Sequence, residues 1–265
     1  MKKHPIIYIY AVCAMAVLLL PFSSYAQTER NESILRAYLR GLEYQVKAGF
    51  NIGGTAPIPL PPEIRSIKSY SPNIALAISG EVTKWMGVKK RWGLAIALKL
   101  ENKSMTTKAD VKNYGMQIIG EGGEIVDGMW TGGVKTKVRN SYISLPVLAT
   151  CKLSERWNMK LGPYISYLID GEFSGYVFEG YLRSGDPTGD KVEFSGGKIA
   201  NYNFSSHLRR FQWGAQLGAE WRAFKHLNVY GDLTWGLNGI FKKDFTTVKF
   251  AMYPIYLNVG FGYMF

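Results

Sequence analysis

The residues that could do chemistry are few. Beyond residue 26 the chain has two histidines, His207 and His226. His207 follows Ser205 and Ser206, and the acids Asp170 and Glu172 stand at the start of the same predicted connection. Serine, histidine and carboxylate are the parts of an acyl-transfer site. The imidazole takes the hydroxyl proton and the acid orients the imidazole. At a membrane rim such a set, with Ser205 and His207 at its centre, would act on lipid. The spacing is not specific, and a polar end of a connection explains the same residues. A lipid-modifying enzyme therefore stands as the alternative reading, with a proteolytic one beside it.

Ser184 to Lys191 reads SGDPTGDK. It holds Gly and Lys without the phosphate-binding spacing and reads as a turn. Asp186 and Asp190 offer oxygens to a Ca²⁺ ion, but a solvated turn accounts for them. No metal and no cofactor is expected. A third group of residues is structural in character: Glu43, Lys47, Glu81, Lys99, Lys152, Lys160, Glu220, Arg222 and Asp232. What they do depends on which elements carry them.

The first 26 residues have the form of a secretory signal. Lys2 and Lys3 precede an apolar run from Ile6 to Leu20, Pro21 breaks it, and Ser24-Tyr25-Ala26 supplies a small-residue cleavage site. Their removal takes the formal net charge from +12 to +10, since Lys2 and Lys3 leave. The remaining chain is basic. An exported protein does not normally meet nucleic acid, so anionic lipid and lipopolysaccharide are the expected electrostatic partners. Cys151 is then the one cysteine left, and no intramolecular disulfide can form.

Beyond the signal no run of about twenty apolar residues exists. A two-residue period does. From Phe250 to Phe265 one alternate set is Ala251, Tyr253, Ile255, Leu257, Val259, Phe261, Tyr263 and Phe265, while the other contains Asn258, Gly260 and Gly262. The same alternation runs through 42–52, 74–82, 92–100, 143–153, 159–169, 211–223 and 227–237. These make eight strands, an even number. Each is about as long as the 9–11 residues a tilted membrane strand needs. A small barrel with its apolar face inward would crowd Trp, Phe and Tyr into an interior just wide enough for side chains. Turned outward, that face meets lipid. The nine charges named above then face the lumen, where they must pair to be tolerated.

The connections agree. Those at 53–73, about 101–142, about 170–210 and 238–249 are long, and those at 87–90, 154–157 and 224–226 are short. Strict alternation of long and short is the pattern of an outer-membrane barrel with both termini in the periplasm. The Gly-rich stretch 120–133 reads as the tip of a loop or a projecting hairpin. Trp92, Trp157, Trp221, Tyr263 and Phe265 fall near one set of strand ends, and Tyr142, Trp213 and Trp235 near the other, as two interfacial girdles would. The expected fold is all-β: an eight-stranded antiparallel up-and-down transmembrane β-barrel over 42–265. A periplasmic segment over 27–41 and the signal over 1–26 precede it.

The terminal Phe265 looks like the C-terminal signal that the barrel-assembly machinery reads. Ser141 to Leu153 (SYISLPVLATCKL), followed by the strand beginning Lys160-Leu161-Gly162-Pro163-Tyr164, resembles the PorT-like outer-membrane β-barrel family of Bacteroidetes. That family often has an acidic residue two positions before the strand proline, here Pro146, where this chain has Ser144. The resemblance implies an eight-stranded barrel in the outer membrane. One branch of the broad family assists secretion of surface proteins. The function expected is thus a non-enzymatic barrel that scaffolds or presents binding surfaces, with an envelope protein as a further partner.

Overall fold

A computed structural model of the chain describes residues 41–119 and 125–265. The signal expected over 1–26, the segment 27–40 and the tip 120–124 lie outside the described residues. Ten strands form one antiparallel sheet: β1 (Leu42–Pro57), β2 (Ile64–Ser71), β3 (Ala75–Met86), β4 (Trp92–Ile119), β5 (Ile125–Lys152), β6 (Trp157–Ser184), β7 (Lys191–Asn203), β8 (Phe211–Arg222), β9 (Leu227–Gly236) and β10 (Met252–Met264). No described helix is long and apolar enough to cross a membrane.

Eight of the strands close a ring. β1 pairs with β3, then β4, β5, β6, β8, β9 and β10 follow in order, and β10 returns to β1. Closure of these eight strands satisfies the edges of the lower part of the ring, as hydrocarbon demands. The three short turns join β3 to β4, β5 to β6 and β8 to β9, where the sequence places them.

The structure corrects the long-loop reading of 101–142 and 170–210. β4, β5 and β6 are each 28 residues long. At about 3.3 Å per residue that is roughly 90 Å of strand, against a hydrocarbon core of about 30 Å. The surplus forms a second storey. β7 pairs along β6 and bridges back to β4 at Asn201, facing Ile119, and β2 pairs with β4. The Gly-rich stretch is in part the start of β5, and its hairpin with β4 is paired to the end, Ile119 facing Ile125.

The two storeys have opposite sidedness. In lower β4, Lys99 and Glu101 are buried inside while Leu94 and Ile96 are exposed outside. Higher up, Met105 and Val111 are inside, and Lys108 and Lys112 are outside. In β5, Ser144 lies inside and Leu145 outside, but above them Val134 and Val138 lie inside and Arg139 outside. In β6, Lys160 and Ser166 give way inside to Phe173 and Val177. The exchange falls on one row, where Asn102 faces Ser141 and Ser141 faces Asp170. Below the row the wall has apolar groups outside and polar groups within. Above it the wall encloses an apolar core of Trp130, Val138, Phe173, Val177, Leu182, Phe204 and Ile240. A wall that faces water must hide its apolar residues, and a wall that faces lipid must show them.

Candidate functional site

The lower lumen is filled by charge. Lys47 on β1 and Lys160 on β6 approach from opposite walls, four strands apart around the ring of eight. Glu81 on β3 and Glu220 on β8 do the same. Lys47 Nζ bonds Glu81 at 2.9 Å and also pairs with Glu220. Lys160 Nζ bonds Glu220 at 2.7 Å and also pairs with Glu81. The four side chains thus make a closed square of alternating sign across the barrel. Asp232 on β9 lies 3.9 Å from Lys47, and the Tyr230 ring lies 4.9 Å from the same ammonium.

A second cluster stands nearer the exchange row. Glu101 takes Lys99 at 2.9 Å and Lys103 at 3.0 Å. Ser144 Oγ donates to its carboxylate at 2.7 Å, and Asn51 Nδ2 does so at 3.3 Å. Lys103 Nζ also lies among the rings of Tyr142, Tyr164 and Tyr256, 5.4 to 5.7 Å from their centroids. Rings supply a charge-stabilising face where water is absent. Among the described residues the fully buried charges are Lys47, Lys99, Lys103, Lys160, Glu81, Glu101, Glu220 and Asp232. Four of each sign leave the lumen neutral. Asn258 donates to Asn51 at 2.9 Å and accepts from Tyr230 at 2.7 Å, tying β10 into the same web.

Of the nine charges that alternation assigns to the lumen, the structure brings Lys47, Glu81, Lys99, Lys160, Glu220 and Asp232 together in its interior. Glu43, Lys152 and Arg222 sit half-buried at the short-turn rim. There Lys152 lies 4.0 Å from Glu43 and 3.9 Å over the Trp85 ring. Arg222 has no ion-pair partner among the described residues. Glu101 and Lys103 fall outside the alternation that ends at Leu100. They continue the odd-numbered series of Lys99, and that signal could have found them. Tyr142 is buried within, beside Lys103, and is not an outer girdle residue. Trp213 and Trp235 are exposed outside.

Ser205 and His207 occupy a single 3₁₀ turn, Ser205–His207. Ser205 Oγ accepts the Phe173 N–H at 3.0 Å. The His207 ring stacks on Phe245 with centroids 4.6 Å apart. Glu172 accepts from Lys137 at 3.3 Å and from Ser174 at 2.9 Å. Serine, imidazole and carboxylate each have other partners and share no hydrogen bond among the described residues. Asp186 accepts both the N–H and the hydroxyl of Thr188 at 2.7 Å, which holds its carboxyl below the usual range.

Residues 25–242 match the family described as outer membrane protein beta-barrel domain. The match spans most of the chain, and the chain belongs to that family of outer-membrane β-barrel proteins. No curated protein matches the sequence. Among solved structures, similarity extends to the attachment invasion locus protein Ail of Yersinia pestis, at 8% identity over 84% of this chain and 97% of that one, TM-score 0.34. Neisserial surface protein A is similar at 10% identity over 85% and 97%, TM-score 0.33. The outer membrane protease OmpT from Escherichia coli is similar at 13% identity over 85% and 97%, TM-score 0.32.

Proposed function

We propose that the protein is a non-enzymatic outer-membrane scaffold. Its sealed barrel holds a rigid β-rich turret above the outer leaflet, with both termini in the periplasm. The observation that carries this reading is the exchange of sidedness on the Asn102–Ser141–Asp170 row. The turret has its own apolar core and a water-facing exterior, so it is built to stand in solvent as a fixed surface. The ion-paired square crosses the whole lumen, which argues against a conduit. Outside, just above the row, Lys108, Lys135, Lys137 and Arg139 share the outer face of β4 and β5. A basic face at that height suits the phosphates of lipopolysaccharide. The turret then offers its upper surface to another envelope protein. A role as accessory to surface-protein secretion, as in the PorT-like resemblance, fits a sealed scaffold of this kind.

Accessibility tests the reading. In a Cys151→Ser background, Lys198→Cys on β7 should react with a membrane-impermeant maleimide on intact cells. Lys225→Cys, in a short turn, should react only after the outer membrane is breached. The reverse pattern would overturn the orientation.

A further inference from the structure

Above the exchange row the wall is not continuous. β1 runs on to Pro57, but its partner β3 begins at Ala75, opposite Asn51. Beyond Asn51 the outer edge of β1 faces β2, and β2 pairs only with β4. Thr55 N–H there meets the Met105 sulfur at 3.2 Å in place of a strand carbonyl. The gap is a window with β1 and β2 as jambs, the start of β3 as sill and residues 58–63 as lintel. Behind it lies a cavity of about 340 Å³, within the size range of small-molecule sites. Met105, Ala109, Val111, Val134 and Phe173 line its depth, and Ile67 and Tyr70 its mouth.

The setting says what fits. The lining is almost wholly apolar, and its hydroxyls are those of threonine and tyrosine. Around the window Leu60 and Ile67 are 58% exposed and Ile74 is 70% exposed; Ile125, Val192 and Ile199 on β5 and β7 are further exposed apolar residues of the turret. Ile74 continues upward from the lipid-facing Leu76 of β3, so this apolar lip is continuous with the bilayer band. The exposed cations Arg65, Lys68 and Lys249 adjoin the lining residues Ile64, Ile67 and Phe250 in sequence, and Lys68 is paired with Asp110 at 2.9 Å. Gly54 stands in the jamb, where an added Cβ would lie 2.8 Å from the Met105 sulfur and 3.4 Å from the Tyr70 ring. Glycine leaves the opening its width there.

We infer that this cavity takes an acyl chain of an anionic bilayer lipid. The chain enters sideways between β1 and β2 while its phosphate rests against Arg65. The inference rests on the membrane placement proposed above. It predicts that a lipid tail reaches residues inside the wall.

The test is photolabelling. The full chain is refolded into vesicles containing phosphatidylglycerol with a diazirine near the end of one acyl chain, irradiated, and mapped by mass spectrometry. Adducts are expected on lipid-facing Leu257 and Phe261 and also on interior Met105, Ala109 and Val134. Ala109→Trp, or Thr107→Phe if that variant does not fold, should remove the interior adducts by at least tenfold and keep the outer ones. Interior residues left unlabelled while the outer ones are labelled would overturn the cavity's role with the barrel correctly placed. Loss of the outer adducts as well would overturn the membrane placement itself. Interior labelling by a free diazirine fatty acid but not by the phospholipid would overturn lateral entry, and mark the cavity as a site for water-borne chains.

Discussion

Lys47 and Lys160 reach the same two carboxylates, Glu81 and Glu220, from opposite walls of the barrel. Each ammonium separates the two glutamates, and each glutamate separates the two ammonium groups. Such a square offers modest net stability, because desolvation offsets attraction, but its breakage is costly. Lys160→Met should destabilise the folded barrel by about 3–5 kcal/mol, the scale for stranding buried charge. Urea titration in detergent, read by heat-modifiable gel migration, measures this. Adding Glu220→Gln should cost less than the two single effects summed, because the partners act as one unit.

The same square closes the lumen. In planar bilayers the natural protein should show no stepwise current. A variant with both Lys47→Ala and Glu220→Ala removes two of the four corners and should admit water to the lower lumen, seen as faster amide exchange there, while the Glu101 cluster and the apolar core above it still bar current. Stepwise conductance from the natural protein would show that the ion pairs open.

Gly49 marks where two strands lie too close for any side chain. A Cβ there would run into the Val259 carbonyl and the Tyr230 hydroxyl. Gly49→Val should force β1 away from β10, the pair that closes the ring. The expected outcome is loss of the compact, boiling-sensitive gel band, with Gly231→Val, where an added Cβ meets nothing nearer than 3.9 Å, leaving it intact.

Lys108 and Lys135 are direct cross-strand partners on the outer face. Like charges opposite one another are unfavourable, and an opposite-charge pair contributes roughly 0.2–1 kcal/mol. Lys135→Glu should therefore raise the unfolding midpoint slightly. It should also weaken binding to lipopolysaccharide, measured by co-sedimentation, and lessen the salt dependence of that binding. A variant that gains stability but binds unchanged would remove this face from the lipid contact.

The lower storey was legible because its alternation is unbroken. From Trp92 to Leu100 every second residue is apolar, and the strand counts correctly. Above it two effects erase the signal. The environment outside changes from lipid to water, so the apolar set moves from the outward to the inward positions. Bulges then shift the phase: one opposite Ser141–Tyr142, one near Asn113 and one near Glu179, the last two with positive φ at 51° and 48°. A count by twos loses its place at each. Lys47, Glu81 and Lys160 were readable as lumen charges because they sit within clean alternation. Glu101 and Lys103 lie at the point where it changes. The window has no local signature, since it exists only because β2 docks on β4 and leaves β1 uncovered.

The 28-residue arms of β4, β5 and β6 also constrain how the protein reaches its final place. With the turret outside, as proposed, only about 9–11 residues of each arm end in hydrocarbon and the rest must travel through it. During that passage Lys108, Lys135, Lys137 and Arg139 have no water, and the core of Trp130, Val138 and Phe173 has not yet closed. Unpaired backbone would add several kcal/mol for each exposed polar group. The leading hairpins must therefore cross already zipped into pairs, and under shelter from the acyl chains. Translocation, more than final stability, sets how tall such a turret can grow.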